Sequence, residues 1–136
     1  MNASTTPSPA TVPTLEPGPI TRTKLALFAG ASGDHNPIHI DTDVARAAGM
    51  EDVIAHGMLS MAYLGRLLTE WIPQDRIREL SARFTAMTPV LAEPVLTGEV
   101  VETFEQDGEK RARLALSVAL ADGTQTLKGS AVITWP

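Results

Sequence analysis

The three histidines all fall between residues 35 and 56, and two of them lie in one short segment, Ser32-Gly33-Asp34-His35-Asn36-Pro37-Ile38-His39. Asp34 and His39 are separated by a proline that removes a backbone donor and biases Asn36 away from helical angles. The chain must bend there, and a bend can turn a carboxylate and an imidazole toward one point. Such a pair sharing a water can activate it and manage its protons. Histidine suits the role because its unperturbed pKa lies near neutrality. A Gly-Asp-x-Asn-Pro segment is also an ordinary loop, in which Asp and Asn bond local backbone. Spacing alone leaves both readings open.

His35 and His39 have the i, i+4 spacing of helical zinc ligands, but Pro37 lies between them and does not sit readily in a helix interior. No metal site is expected. A second group of residues is Ile54-Ala55-His56-Gly57-Met58-Leu59. If Gly57 opens a helix, free backbone N–H groups and the positive dipole end collect there. With no side chain in the way, another molecule's carbonyl can approach the Gly57 amide. That makes an oxyanion hole for a thioester or enolate oxygen. The competing reading is a plain helix-start turn, with His56 as a structural histidine bonding backbone. Taken together, a water-activating dyad and a helix-terminal oxyanion hole suit addition of water to a carbonyl-conjugated double bond.

These residues must be positioned by the elements around them. Gly57 to Ile72 is the strongest helical segment, apolar around nearly its whole circumference and ended by Pro73, which predicts a buried helix. Thr21 to Ala31 predicts a helix capped by Thr21, and Thr42 to Ala48 a short one capped by Asp41 or Thr42 and stopped by Gly49. Beyond residue 95 the period changes from 3.6 to 2. Leu96, Gly98, Val100 and Phe104 form one alternating set. Leu114, Leu116, Val118 and Leu120 form a second, and Leu127, Gly129, Ala131, Ile133 and Trp135 a third. Asp107-Gly108 and Asp122-Gly123 read as hairpin turns. Arg78 to Ala86 is a fourth strand candidate. The economical α+β packing wraps a curved antiparallel sheet around the helix.

Composition narrows the function. The chain has 136 residues, enough for one domain with a core that needs no disulfide or metal staple. Its 11 basic against 16 acidic residues give a net charge of -5, which argues against nucleic acid and anionic membrane surfaces as partners. It contains no cysteine, hence no thiolate nucleophile and no Cys-type zinc site. No apolar run is long enough to span a membrane, and the start lacks the pattern of a signal peptide, so a cytoplasmic protein is expected. Residues 1–12 read as a flexible Pro/Thr-rich tail and 13–136 as a single domain, with Val12 to Ile20 able to lie along a sheet edge.

Ser32-Gly33-Asp34-His35-Asn36-Pro37-Ile38-His39-Ile40-Asp41, followed about 16 residues later by Ala55-His56-Gly57-Met58-Leu59, closely resembles the MaoC-like hydratase family. The resemblance covers residues 20 to 136, and Arg83-Phe84-Thr85 to Pro89-Val90 looks like the family's strand after the helix. It implies a hotdog fold, usually dimeric, with Asp34 and His39 as the catalytic pair and the Gly57 amide as oxyanion donor. It implies reversible hydration of trans-2-enoyl thioesters to (R)-3-hydroxyacyl thioesters. No metal or redox cofactor is used, because the CoA or acyl-carrier arm belongs to the substrate. Asn36 would buttress the dyad loop and Ser60 line the helix start. Two positions depart from the family pattern. Gly65 stands where some hydratases carry a serine, which bears on the acyl pocket. Ala92-Glu93-Pro94 replaces a common Gly-Asp turn.

Three alternatives accompany this reading. One is the catalytic subunit of a heteromeric (3R)-hydroxyacyl-ACP dehydratase beside another hotdog chain. Another is a specialised hydratase with an unusual acyl group. The third is a non-catalytic acyl-thioester-binding hotdog module, which would have no need of both Asp34 and His39. A homodimer is expected, because Val101 and Val132 lie opposite the helix-facing set and an open sheet edge invites pairing.

Overall fold

The computed structural model describes residues 11–136, so the tail expected over residues 1–12 falls almost wholly outside the described residues. Of that tail, Thr11 and Val12 are described; Thr11 is exposed, whereas Val12 is buried in the core. The next residues lie along a sheet edge as their composition allows: Leu15 exchanges backbone hydrogen bonds of 3.0 and 2.9 Å with Leu96. Ile20 then enters the core, and α1 follows over Arg22–Ser32. Its cap is Thr21, whose Oγ1 accepts from the Lys24 amide at 3.0 Å. Gly33 ends α1 in the left-handed region at φ 79°, a conformation that glycine adopts without strain.

A 3₁₀ turn over Pro37–His39 leads to α2, Thr42–Ala47, capped by Asp41. The central helix α3 runs over Gly57–Thr69. The apolar pattern continues to Ile72, and Ile72 still donates to Leu68 at 2.8 Å, but these last residues form a closing turn before Pro73. The expectation that α3 is buried on every side does not hold for the single chain. Leu59, Ser60, Tyr63, Leu64, Leu67 and Leu68 are buried, whereas Met58 is 59% exposed and Ala62, Arg66 and Thr69 continue that open face. One stripe of the helix meets the sheet, as helical spacing requires of a helix packed on one layer.

Among the described residues the sheet has four antiparallel strands, β1 (Ile77–Phe84), β2 (Val95–Gln106), β3 (Glu109–Ala119) and β4 (Gln125–Thr134), in the order β1-β4-β3-β2. The β2–β3 hairpin turns at Asp107-Gly108, with both residues at positive φ, the geometry that matches strand twist. A register shift between Val100 and Glu102 breaks the β2 alternation. Leu96, Leu114, Leu116, Val118, Leu127, Ala131 and Ile133 join the α3 stripe in one core. Gly129 lets the helix come close: a Cβ there would lie 3.0 Å from a Leu64 methyl.

Val132 departs from expectation. It lies on the sheet face away from the helix yet is only 2% exposed, flanked across the strands by Glu79 and Arg113. It needs no second subunit to cover it; only Val101 of that expected pair is open. Among the described residues β1 pairs only with β4, and β2, at the other edge, meets Leu15 only at Leu96.

Candidate active site

The loop between α1 and α2 is built from short side chains bonding their own backbone. Ser32 Oγ accepts from the Asp34 amide and Asp34 Oδ1 accepts from the Asn36 amide, each at 3.2 Å. Asn36 Oδ1 accepts from the Ile38 amide at 3.2 Å and caps the 3₁₀ turn that Pro37 begins. Such Asx turns are why Asp and Asn occur here. Asn36 therefore buttresses the loop through its backbone contacts. The ordinary-loop reading holds for this segment, and the same bonds that fold it leave Asp34 Oδ2 outside the turn contacts.

Oδ2 lies 3.7 Å from His39 Nε2. The Asp34 side chain is about half exposed, while His39 is 8% exposed. His39 Nδ1 stands 2.8 Å from the carbonyl oxygen of Ile54, an acceptor only, so Nδ1 carries the proton and Nε2 presents its lone pair. Two acceptors 3.7 Å apart suit one water whose two O–H bonds point at them, leaving its oxygen lone pairs free to attack.

His56 sits beneath this pair. Its ring stacks on His39 with centroids 3.8 Å apart and 23° between planes, and its Nε2–H donates to the Asp34 carbonyl at 3.1 Å. Phe28 of α1 meets its edge at 4.9 Å. Burial pushes its pKa below the ordinary histidine range, opposed by the Asp34 carbonyl and reinforced by His39. As the sequence implied, it is a histidine bonding backbone. Spacing gave no sign of the stack. Asp34, His39 and His56 each bring a ligand-capable atom within 4.8 Å of the others, in place of the His35–His39 pair weighed from spacing. Stacked rings, however, lie in nearly parallel planes 3.8 Å apart, so their in-plane lone pairs do not converge on one point. The trio does not make a three-ligand metal site.

Gly57 is the first residue of α3, where the helix has no internal acceptor for its amide. His39, Gly57 and the buried Ser60 share a cavity of about 370 Å³ with Ile54, Ala55, Phe84, Thr85, Ala86, Met87, Thr88 and Thr126. The Phe84 ring lies 3.1 Å from where a Gly57 Cβ would stand. Ser60 lies in the first turn of α3 and lines this cavity. Gly65 does not line the cavity; it is two turns along α3, and a Cβ there would meet open space. Residues of β1, the segment after it and β4 complete the wall. Phe84 to Thr88 lie in the segment singled out after the helix, whereas Thr126 left no mark in the sequence.

Behind the loop, Arg22 of α1 forms a two-pronged ion pair with Asp52, which also accepts from Thr42 at 3.0 Å. That contact fixes α1 and α2 to the strand-like stretch carrying Ile54. None of the helices among the described residues is long and apolar enough to cross a membrane.

Comparison with known proteins places this geometry. Residues 4–125 match the family described as MaoC like domain. The chain is 29% identical over 113 residues to an (R)-specific enoyl-CoA hydratase of Aeromonas caviae, covering 83% of this chain and 84% of that one. Over 48 residues it is 46% identical to a 3-hydroxyacyl-thioester dehydratase Z of Mycobacterium tuberculosis, covering 35% of this chain and 32% of that one. The solved (R)-hydratase of A. caviae superposes with a TM-score of 0.82 at 25% identity, covering 99% of this chain and 100% of that one. A hotdog sheet around a central helix, the paired Asp34 and His39, and these hydratase and dehydratase relatives agree: the chain belongs to the MaoC-like hotdog hydratase family, a family of hydro-lyases.

Proposed function

We propose that the protein adds water reversibly to trans-2-enoyl thioesters, giving (R)-3-hydroxyacyl thioesters, with Asp34 and His39 as the acid/base pair and the Gly57 amide as oxyanion donor. The observation that carries this reading is the 3.7 Å gap between Asp34 Oδ2 and the lone-pair nitrogen of His39, at a cavity that His39 shares with Gly57. Water held by the dyad loses a proton to it as its oxygen bonds the β-carbon. The π electrons move to an enolate, whose oxygen the Gly57 N–H stabilises. The α-carbon then takes a proton back from the dyad, so one water is consumed and no co-reactant is needed. Run backwards, the same steps dehydrate a 3-hydroxyacyl thioester. The proposed reaction draws on no metal or redox cofactor, since the CoA or acyl-carrier arm is part of the substrate.

The test is loss of the enoyl-thioester absorbance with crotonyl-CoA, followed by chiral analysis of the product. An (R)-3-hydroxy product is expected. No turnover across a panel of chain lengths on both carriers sinks the reading, and an (S)-product overturns the placement of the dyad. We also propose that two copies associate through the β1 edge, beside the exposed Phe84 and Met87 at the cavity mouth. Light scattering is expected to give about twice the 14.5 kDa of the chain. A species of single-chain mass overturns that arrangement. Pairing with a different hotdog chain would appear as heteromers when the two are mixed.

A further inference from the structure

His56 is 1% exposed and touches both members of the dyad without lining the cavity. Its Nε2–H holds the Asp34 carbonyl at 3.1 Å, and its face lies 3.8 Å from the His39 ring. Its other nitrogen, Nδ1, is buried with no hydrogen-bond partner among the described residues. An orphaned lone pair is tolerable there, whereas an orphaned N–H⁺ is far less so, because a buried charged donor needs a partner. The ring is thereby confined to one tautomer and one charge state. A neutral ring against the face of His39 lets that histidine take up a proton without facing a second cation, and its π-face attracts the imidazolium that results. The charged and titratable groups acting on His56 are Asp34 and His39, and Phe28 closes its remaining edge.

We infer that His56 is a positioning residue that sets both halves of the dyad at once, fixing Asp34 through its backbone and His39 through its ring, and that it does so only as the neutral Nε2–H tautomer. The inference rests on the hydratase reading for its kinetic consequence, but not for its structural one. It explains why a histidine, not another aromatic, precedes Gly57: the position needs a flat face and an in-plane donor together.

Two substitutions separate the halves of this role. His56→Phe keeps the face and loses the donor; His56→Gln keeps a donor and loses the face. Each is expected to lower kcat on crotonyl-CoA about 10- to 100-fold with KM within about threefold, the cost of misplacing reacting groups by a fraction of an ångström. The acid limb of the kcat–pH profile is expected to move in His56→Gln and to stay in His56→Phe, which retains the stacked ring. If both variants fold and keep kcat within twofold of the parent, or lose only thermal stability, the inference is overturned. Should neither variant fold, ¹⁵N spectra of the histidines in the unaltered protein still decide it. His56 is expected as the neutral Nε2–H form throughout the pH range in which activity changes. A His56 in the Nδ1–H form, or one that titrates with activity, overturns the inference. Because those spectra need no substrate, an enzyme inactive on every enoyl thioester would sink the hydratase reading and leave the tautomer result standing on its own.

Discussion

His39 takes its orientation from Ile54. The 2.8 Å bond from Nδ1 to the Ile54 carbonyl fixes the tautomer, and the ring plane then carries Nε2 to within 3.7 Å of Asp34. Ile54 is in turn held by its own amide on Ile38 and by the bridge to Pro89. The position of Nε2 is thus set by backbone contacts of Ile54 with two other segments of the chain. Asp34→Asn should fold normally, since the side chain is half exposed and an amide oxygen can still accept from Asn36. His39→Asn keeps a donor for Ile54 and removes Nε2. Either change is expected to lower kcat by about 10²–10⁴-fold, the range general acid/base groups supply. A purified double variant that turns over crotonyl-CoA near the parent rate would take both residues out of the mechanism.

The Gly57 amide can be removed without breaking α3. Proline is tolerated at the first position of a helix, and His56 already has φ -59° and ψ 132°, extended angles that a following proline demands. Gly57→Pro is expected to keep the helical circular dichroism and lower kcat by about 10²–10³-fold, as loss of one oxyanion donor does. Gly57→Ala keeps the N–H. Its methyl meets the Phe84 ring, which is exposed enough to shift, so the loss should be much smaller. Equal activity in the two variants would show that the amide plays no part.

The parts of the site that sequence made legible are those folded by neighbours in the chain. Asp34, Asn36 and His39 are placed by turns only two or three residues long, and Gly57 by the start of a helix with a clear period. What was not legible depends on chain far away. Thr126 reaches the cavity only because β4 pairs with β1, and His56 meets His39 only because Ile54 and Ile38 are joined across the loop. Gly65, tied to the acyl pocket by resemblance, lies on a part of α3 outside the cavity that His39 and Gly57 share. Hydrophobic pattern likewise overstated burial at Met58 and Ala62, because period alone does not tell which apolar residue faces a neighbour.

On the outer sheet face, Glu109 sits between Arg78 and Arg111, whose guanidinium groups hold its carboxyl down to about 2. A carboxylate with a depressed folded-state pKa adds stability above its unfolded pKa and loses it as pH falls through the folded one. Relative to Glu109→Gln, the parent should therefore be more resistant to urea at pH 6. That advantage should shrink between about pH 4.5 and 2, because the unfolded carboxyl titrates first. A constant difference across that window would mean the ion pairs do not act through Glu109.

Two glycines that both fall on apolar repeats should answer oppositely to the same substitution. A Cβ on Gly129 would lie 3.0 Å from a Leu64 methyl and 3.1 Å from the Ser81 carbonyl oxygen of the neighbouring strand, and backbone there has no room to retreat. Gly129→Ala is expected to destabilise by roughly 1–3 kcal/mol, the usual cost of overpacking. Gly65→Ala meets open space inside α3 and removes a helix-weakening residue, so it should stabilise by up to about 1 kcal/mol. Because Gly65 does not line the cavity, its variant should also keep the parent kcat and KM for short and long acyl chains alike. A change in chain-length preference would mean that the acyl group runs past Gly65 after all, along the open face of α3 that begins at Met58.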